Sequence, residues 1–196
     1  MKAALVIIIP SFFLAACKPP AAESNKEAVA VKGNCSYTRN ELNPEGKPIK
    51  MLEEAMFISL TNADTAAARR TGNSDYMKGY LSCISIDTVL GVYFNFKIFS
   101  ADAYREYGMI RKDNKISFIL KSGKTVIVPF LVTFSGNTNL TAELTEYKTY
   151  AHISGEEAEL LKSSDLERVT ISWAKMQEDY KVVNPGVFMT QLPCVE

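Results

Sequence analysis

Histidine is nearly missing from this chain: His152 is the only one among 196 residues. That excludes metal sites built on several histidines and the H-E-x-x-H arrangement of zinc proteases. Any Ser-His-Asp triad must use this residue, which precedes a helix-capping sequence, where a packed or hydrogen-bonded histidine is the expected role. No serine sits in G-x-S-x-G, and no acidic spacing matches a calcium-binding loop. Net charge is also missing, since Lys+Arg and Asp+Glu are both 22. A nucleic-acid binder needs a basic face, so no nucleic-acid partner is expected. Long runs of like charge and internal repeats are absent as well. These absences leave no cofactor or metal requirement and no set of acid, base and nucleophile.

Several partial motifs are weaker than they look. Gly123-Lys124-Thr125 copies the end of a phosphate-binding loop, but Phe118 stands where the earlier glycine belongs. Ser172-Trp173-Ala174-Lys175 matches the S-x-x-K of serine β-lactamases and penicillin-binding proteins. The accompanying S-D-N is only Ser74-Asp75-Tyr76, and K-T-G is absent. Alternation of Val169, Ile171 and Trp173 implies a strand, which puts Ser172 and Lys175 on opposite faces. Arg69-Arg70 reads as the basic last turn of a short helix capped by Asp64 and stopped at Gly72. Glu156, Glu157 and Glu159 cluster at a helix start, where carboxylates answer the helix dipole.

The N-terminus carries the most specific signal. Met1 to Cys17 reads MKAALVIIIPSFFLAAC: one lysine, a short apolar run, then small residues before a cysteine. Leu14-Ala15-Ala16-Cys17 resembles the lipobox of bacterial lipoproteins. That resemblance implies a signal peptide, residues 1–16, cut before Cys17, whose thiol receives a diacylglycerol and whose new amine is acylated. Several acyl chains exceed the two-chain threshold for stable anchoring. Lys18 stands where an aspartate favours inner-membrane retention, so the resemblance points to the outer membrane of a Gram-negative host, facing the periplasm. Removing residues 1–16 takes away Lys2 and no acid, leaving 21 basic and 22 acidic residues and a formal charge of −1. Residues 17–34 form the lipid anchor and a polar, proline-containing tether, with a strand around Val29 and Val31 as the alternative. A coil of this length reaches roughly 20–25 Å.

Residues 35–196 are expected to form a single globular domain of α+β class, mainly antiparallel sheet with a few short helices. Its most legible stretch is a hairpin, Ile116 to Phe130, turning at Lys121-Ser122-Gly123. Gly123 supplies the positive φ of a three-residue loop. Leu120 then faces Lys124, Phe118 faces Val126 and Ile116 faces Val128. One face carries Ile116, Phe118, Leu120, Val126, Val128 and Phe130 to the core. Pro48 to Leu60 fits a helical face through Leu52, Ala55, Met56 and Leu60 and equally fits a strand; helix is the preferred reading. Tyr80 to Ser100 is the longest strand signal. Ala101 to Gly108 is a connection with one helical turn. Leu140, Ala142 and Leu144 begin another strand, with a bulge near Thr145 to Tyr147 to explain its change of phase. Ser154-Gly155-Glu156-Glu157 is a capping box opening a helix from Gly155 to Lys162 that ends near Ser164. Val169, Ile171 and Trp173 mark the final major strand, followed by a tail through Cys194.

With Cys17 taken by lipid, Cys35, Cys83 and Cys194 remain for an oxidising compartment. The expected disulfide is Cys35–Cys194, stapling the two ends of the domain; Cys83–Cys194 and Cys35–Cys83 are the alternatives. Cys83 lies in an apolar strand, where it can stay buried and inert. Tyr147, Tyr150 and Tyr180 are candidate contact residues, though packing at the sheet edge is the preferred reading. The expected role is binding of another envelope component, most simply a protein. An envelope hydrolase and a carrier of small apolar ligands are the rivals.

Overall fold

Alternation of apolar residues at Ile116, Phe118 and Leu120, answered by Val126 and Val128, forms the hairpin that anchors the sheet. In the computed structural model, which describes residues 35–61 and 75–196, Ile116 pairs with Val128 and Phe118 with Val126. Leu120 N donates to Lys124 O at 2.9 Å, and Gly123 closes the turn at φ 81°. All six residues expected on the core face, Phe130 included, are buried. The lipobox, the tether and the short helix expected between Asp64 and Gly72 lie outside the described residues.

Among the described residues the domain is mainly antiparallel sheet, 53% strand, with three short helices. Its strands are β1 (Tyr37–Leu42), β2 (Pro48–Leu52), β3 (Ala55–Thr61), β4 (Asp75–Ile86), β5 (Val89–Ile98), β6 (Lys115–Leu120), β7 (Thr125–Pro129), β8 (Asn137–Asn139), β9 (Leu144–His152), β10 (Leu166–Ser172) and β11 (Gln177–Val182). The helices are α1 (Ala103–Tyr107), α2 (Gly155–Ser163) and α3 (Val187–Val195). The sheet order is β7-β6-β10-β11-β3-β4-β5-β9-β8, with β2 added beside β4 and β1 beside β2. Just past β7, Phe130 bridges Ala151 of β9, and Leu131 N donates to Tyr150 O at 2.7 Å. This contact joins the β7 end of the order to β9, so β7, β6, β10, β11, β3, β4, β5 and β9 close into a barrel, with β8 outside the closure.

The barrel interior is aromatic. Phe57, Phe94, Phe96, Phe118 and Phe130 are all at most 1% exposed. The Phe94 ring lies 5.8 Å from Phe96, 5.9 Å from Phe130 and 6.1 Å from Phe57. Helix α3 adds Phe188, whose ring meets Phe118 edge-on at 4.9 Å. Between the β3 and β2 pairings of β4, Gln191 of α3 satisfies backbone groups that the sheet leaves unpaired. Its Oε1 accepts from Cys83 N at 2.8 Å and its Nε2 donates to Glu53 O at 3.1 Å.

Several sequence expectations need correction. Pro48 to Leu60 is strand, not helix: β2 and β3 both pair with β4. Pairing on a half-buried surface overrides the helical propensity of Leu52, Ala55 and Met56, and Phe57 and Ile58 suit that surface. The long signal from Tyr80 to Ser100 is two strands. They fold back at Asp87-Thr88, with Asp87 at φ 59°, a conformation aspartate tolerates better than most residues. The β9 strand runs without a bulge from Thr145 to His152 against β5. Its apparent change of phase arises earlier, because Leu140 to Glu143 form a turn with Glu143 at φ 47°. The sheet continues past β10 into β11, and the supposed tail is α3, which carries Pro193 inside it.

The capping box forms as expected. Ser154 Oγ accepts from Glu157 N at 3.3 Å, and Ser154 N donates to Glu157 Oε2 at 2.8 Å. Ile153 and Ala158 on either side are buried. Ser154→Ala is expected to destabilise the domain by about 1 kcal/mol. An unchanged denaturant midpoint would contradict that assignment.

Candidate functional site

Strands β4, β5 and β9 turn one face into the barrel and the other outward. Val92, Phe94 and Phe96 take the inside of β5, so Gly91, Tyr93 and Asn95 take the outside. Register then builds three outward rows: Ile84–Gly91–His152, Ser82–Tyr93–Tyr150 and Tyr80–Asn95–Lys148. The row through Gly91 is the floor of a cleft of about 350 Å³. A Cβ at Gly91 would stand 3.0 Å from Ala151 O and 3.4 Å from Ile84 Cγ2, so only glycine leaves the floor this low. Ile86 and Val89 wall it from the hairpin tip, and Leu131 and Val132 wall it from the segment that closes the barrel. Val89 is 55% and Leu131 45% exposed. Exposed aliphatic side chains grouped round one concave floor mark a recognition surface more than scattered ones do.

His152 stands on the rim of this cleft and is exposed. Of the packed or hydrogen-bonded roles expected for it, the packed one is not what forms: Ala151 and Ile153 take the inward positions, leaving His152 outside. The three tyrosines separate. Tyr150 is 41% exposed and lines the cleft, its ring 5.0 Å from Tyr93. Tyr147 and Tyr180 are buried, which fits the packing role and removes them as contact residues, because strand alternation turns both inward. Tyr147 OH donates to Gly108 O at 2.8 Å. Tyr180 OH donates to Glu178 Oε2 at 2.6 Å and accepts from Trp173 Nε1 at 2.9 Å.

Those two belong to an aromatic cluster that the sequence did not reveal. Trp173 packs against Tyr107 at 5.0 Å, Tyr147 at 5.4 Å and Phe96 at 5.5 Å. Tyr107 OH donates to the same Glu178 carboxylate at 3.2 Å, and Tyr76 OH donates to Glu106. Burial first, then the neighbouring carboxylates, hold the phenols of Tyr76, Tyr107 and Tyr180 well above their ordinary pKa. Burial pushes Tyr147 up to about 12. The phenols are therefore hydrogen-bond donors at neutral pH, and the cluster acts as structure.

Ser172 and Lys175 are engaged separately: Ser172 Oγ donates to Gln177 Oε1 at 3.3 Å, and Lys175 Nζ donates to Arg105 O at 3.0 Å. Cys35 and Cys194 are joined, with Cα atoms 5.8 Å apart. Cys83 is free and fully buried, and burial pushes its thiol pKa up, away from thiolate chemistry. Among the described residues, no group of three or more His, Cys, Asp or Glu side chains is placed to hold a metal ion, and no helix is long and apolar enough to cross a membrane. No family model, curated protein or solved structure matches the chain.

Proposed function

We propose that this chain is a bacterial envelope lipoprotein whose domain binds another envelope protein without catalysis, as an assembly accessory or an immunity protein does. In this reading residues 1–16 are a signal, Cys17 carries the acyl anchor and residues 18–34 tether an α+β domain to the outer membrane, facing the periplasm. The lipobox-like Leu14-Ala15-Ala16-Cys17 supports the anchor, and the Cys35–Cys194 disulfide suits an oxidising compartment. The observation that carries the binding reading is the apolar cleft over Gly91, with Val89, Leu131 and Tyr150 exposed around it. Its volume accommodates about two aliphatic side chains, and its flanking tyrosines offer apolar bodies with polar tips. The rivals draw less support. A carrier needs an enclosed chamber, and phenylalanine rings fill the barrel; a hydrolase needs Ser172 and Lys175 together.

The test is recovery from detergent-solubilised envelopes with the full chain as bait. Val89→Asp with Leu131→Asp places two charges at the walls of the cleft, where a docked partner would have to desolvate them. Recovery of the bound protein is expected to fall at least about tenfold, the effect of 1.4 kcal/mol or more. A partner retained at the wild-type level would place its contact elsewhere.

A further inference from the structure

The segment that walls the cleft over Gly91 has a second side. Leu131 and Val132 line the cleft, and the next residue, Thr133, lines an open depression of about 580 Å³ with Met109, Arg111, Lys112 and Asp113. Residues 131–133 are thus a narrow ridge between two hollows. Three consecutive residues span only roughly 7 Å of extended chain, so a segment docked in the cleft reaches the second hollow within a few positions. The two hollows differ in charge. No Asp, Glu, Lys or Arg lines the cleft. Beyond the ridge, Arg111 and Lys112 are exposed, and neither has a carboxylate partner among the described residues. Cations elsewhere on the barrel are paired: Lys97 and Lys148 share Glu146, at 3.6 Å and 3.5 Å, and Lys121 lies 2.8 Å from Asp165. Asp113 offsets one of the two free charges, and Lys115, exposed at the start of β6, restores it.

The turn that carries Arg111 and Lys112 is held in place. Asn114 closes it: its Oδ1 accepts from Arg111 N at 2.8 Å, and its N donates to Arg111 O at 3.0 Å. Phe130 N donates to Asn114 O at 3.0 Å, and Lys112 N donates to Thr133 Oγ1 at 3.2 Å. The turn is therefore pinned to the chain on either side of the ridge, and a fixed backbone lowers the cost of ordering these side chains on binding. On the reading that the cleft is the partner surface, we infer that the docked segment of the partner protein carries acidic residues within a few positions of its aliphatic anchors, and that Arg111 and Lys112 receive them. The aliphatic side chains fill the hollow over Gly91, the chain crosses the ridge at Val132, and the carboxylates meet the two cations. Opposite charges at such a rim steer the encounter and fix which way round the segment lies. An anionic lipid surface would also attract the cations, but the hollow beside them is concave, and a bilayer presents nothing to fill it.

The probes are two fluorescein-labelled peptides, Leu-Leu-Gly-Ser-Asp-Glu-Asp and the same residues in reverse order, titrated with the full protein in detergent and read by fluorescence anisotropy. Control peptides carry lysine in place of the three acids. Saturable binding of the acidic peptide is expected in at least one order, with its lysine counterpart at least about tenfold weaker at low salt and the gap closing at high salt. Arg111→Glu with Lys112→Glu should weaken the acidic peptide about tenfold or more and strengthen the lysine peptide, a reversal that a damaged fold does not give. Val89→Asp should weaken the acidic peptide as well, through its leucines. No saturable binding in either order, equal affinity for acidic and lysine peptides, or an acidic peptide indifferent to the double charge reversal would each overturn the proposal. In the last two cases, weakening by Val89→Asp would keep the cleft as the partner surface and remove only the acidic requirement. Charge-dependent binding that ignores Val89→Asp would remove the cleft itself, and the proposal with it. A silent peptide titration, together with binding of dihexanoyl phosphatidylglycerol that the double charge reversal abolishes, would assign the cations to lipid instead.

Discussion

Cys194→Ser is expected to lower the unfolding free energy by about 5 kcal/mol, the largest effect of any single change considered. The disulfide joins residues 159 apart in sequence, so its loss releases a long loop in the unfolded chain, and the chain-entropy relation gives about 5 kcal/mol for such a loop. The native state loses order as well. Cys194 lies in α3, which supplies Phe188 to the barrel interior and Gln191 to the unpaired backbone of β4. Weaker ties remain, including Tyr37 OH to Cys194 O at 2.8 Å and Lys162 to the Glu196 carboxylate at 2.7 Å. Exposed ion pairs of the second kind contribute at most about 1 kcal/mol and do not replace the covalent link. Urea unfolding with and without a reductant measures the effect. Reduced wild type should unfold at the midpoint of Cys194→Ser, and midpoints insensitive to both changes would contradict the account.

Phe94→Ala is expected to cost about 3–5 kcal/mol. Its ring touches four other phenylalanines, from β3, β5, β6 and the end of β7, so it fills the point where both halves of the barrel meet. The residues around it sit on hydrogen-bonded strands and cannot collapse onto the space left behind. A loss below about 1 kcal/mol would show that the interior repacks freely, which is incompatible with a fixed barrel. The measurement is the shift in denaturant midpoint at an unchanged slope.

What could be read in the sequence was local and strongly patterned. The β6–β7 hairpin has alternation on both arms and glycine at the one position needing positive φ. The capping box at Ser154 has its partners within three residues. What escaped had either no marker or a misleading one. The β4–β5 reversal uses Asp87-Thr88, without the glycine that usually signals a two-residue turn. Strand β11 buries only Tyr180 among polar residues, so it shows no apolar alternation. Helix α3 reads as a tail because of Pro193. The cleft escaped for another reason: Gly91, Leu131 and Tyr150 are each ordinary in their own segments, and only barrel closure at Phe130 and Ala151 brings them together. The same alternation that exposes Tyr150 buries Tyr147, and composition cannot separate them.

The central claim is that the cleft over Gly91 is the surface by which this domain holds a protein partner. The most direct measurement is in-cell photocrosslinking from single positions: Val89 and Leu131 on the cleft, and Leu42, 68% exposed on β1, as the control. The account predicts the same discrete crosslinked species from positions 89 and 131 and none from position 42. Crosslinks from position 42 alone, or none from any of the three, would contradict it.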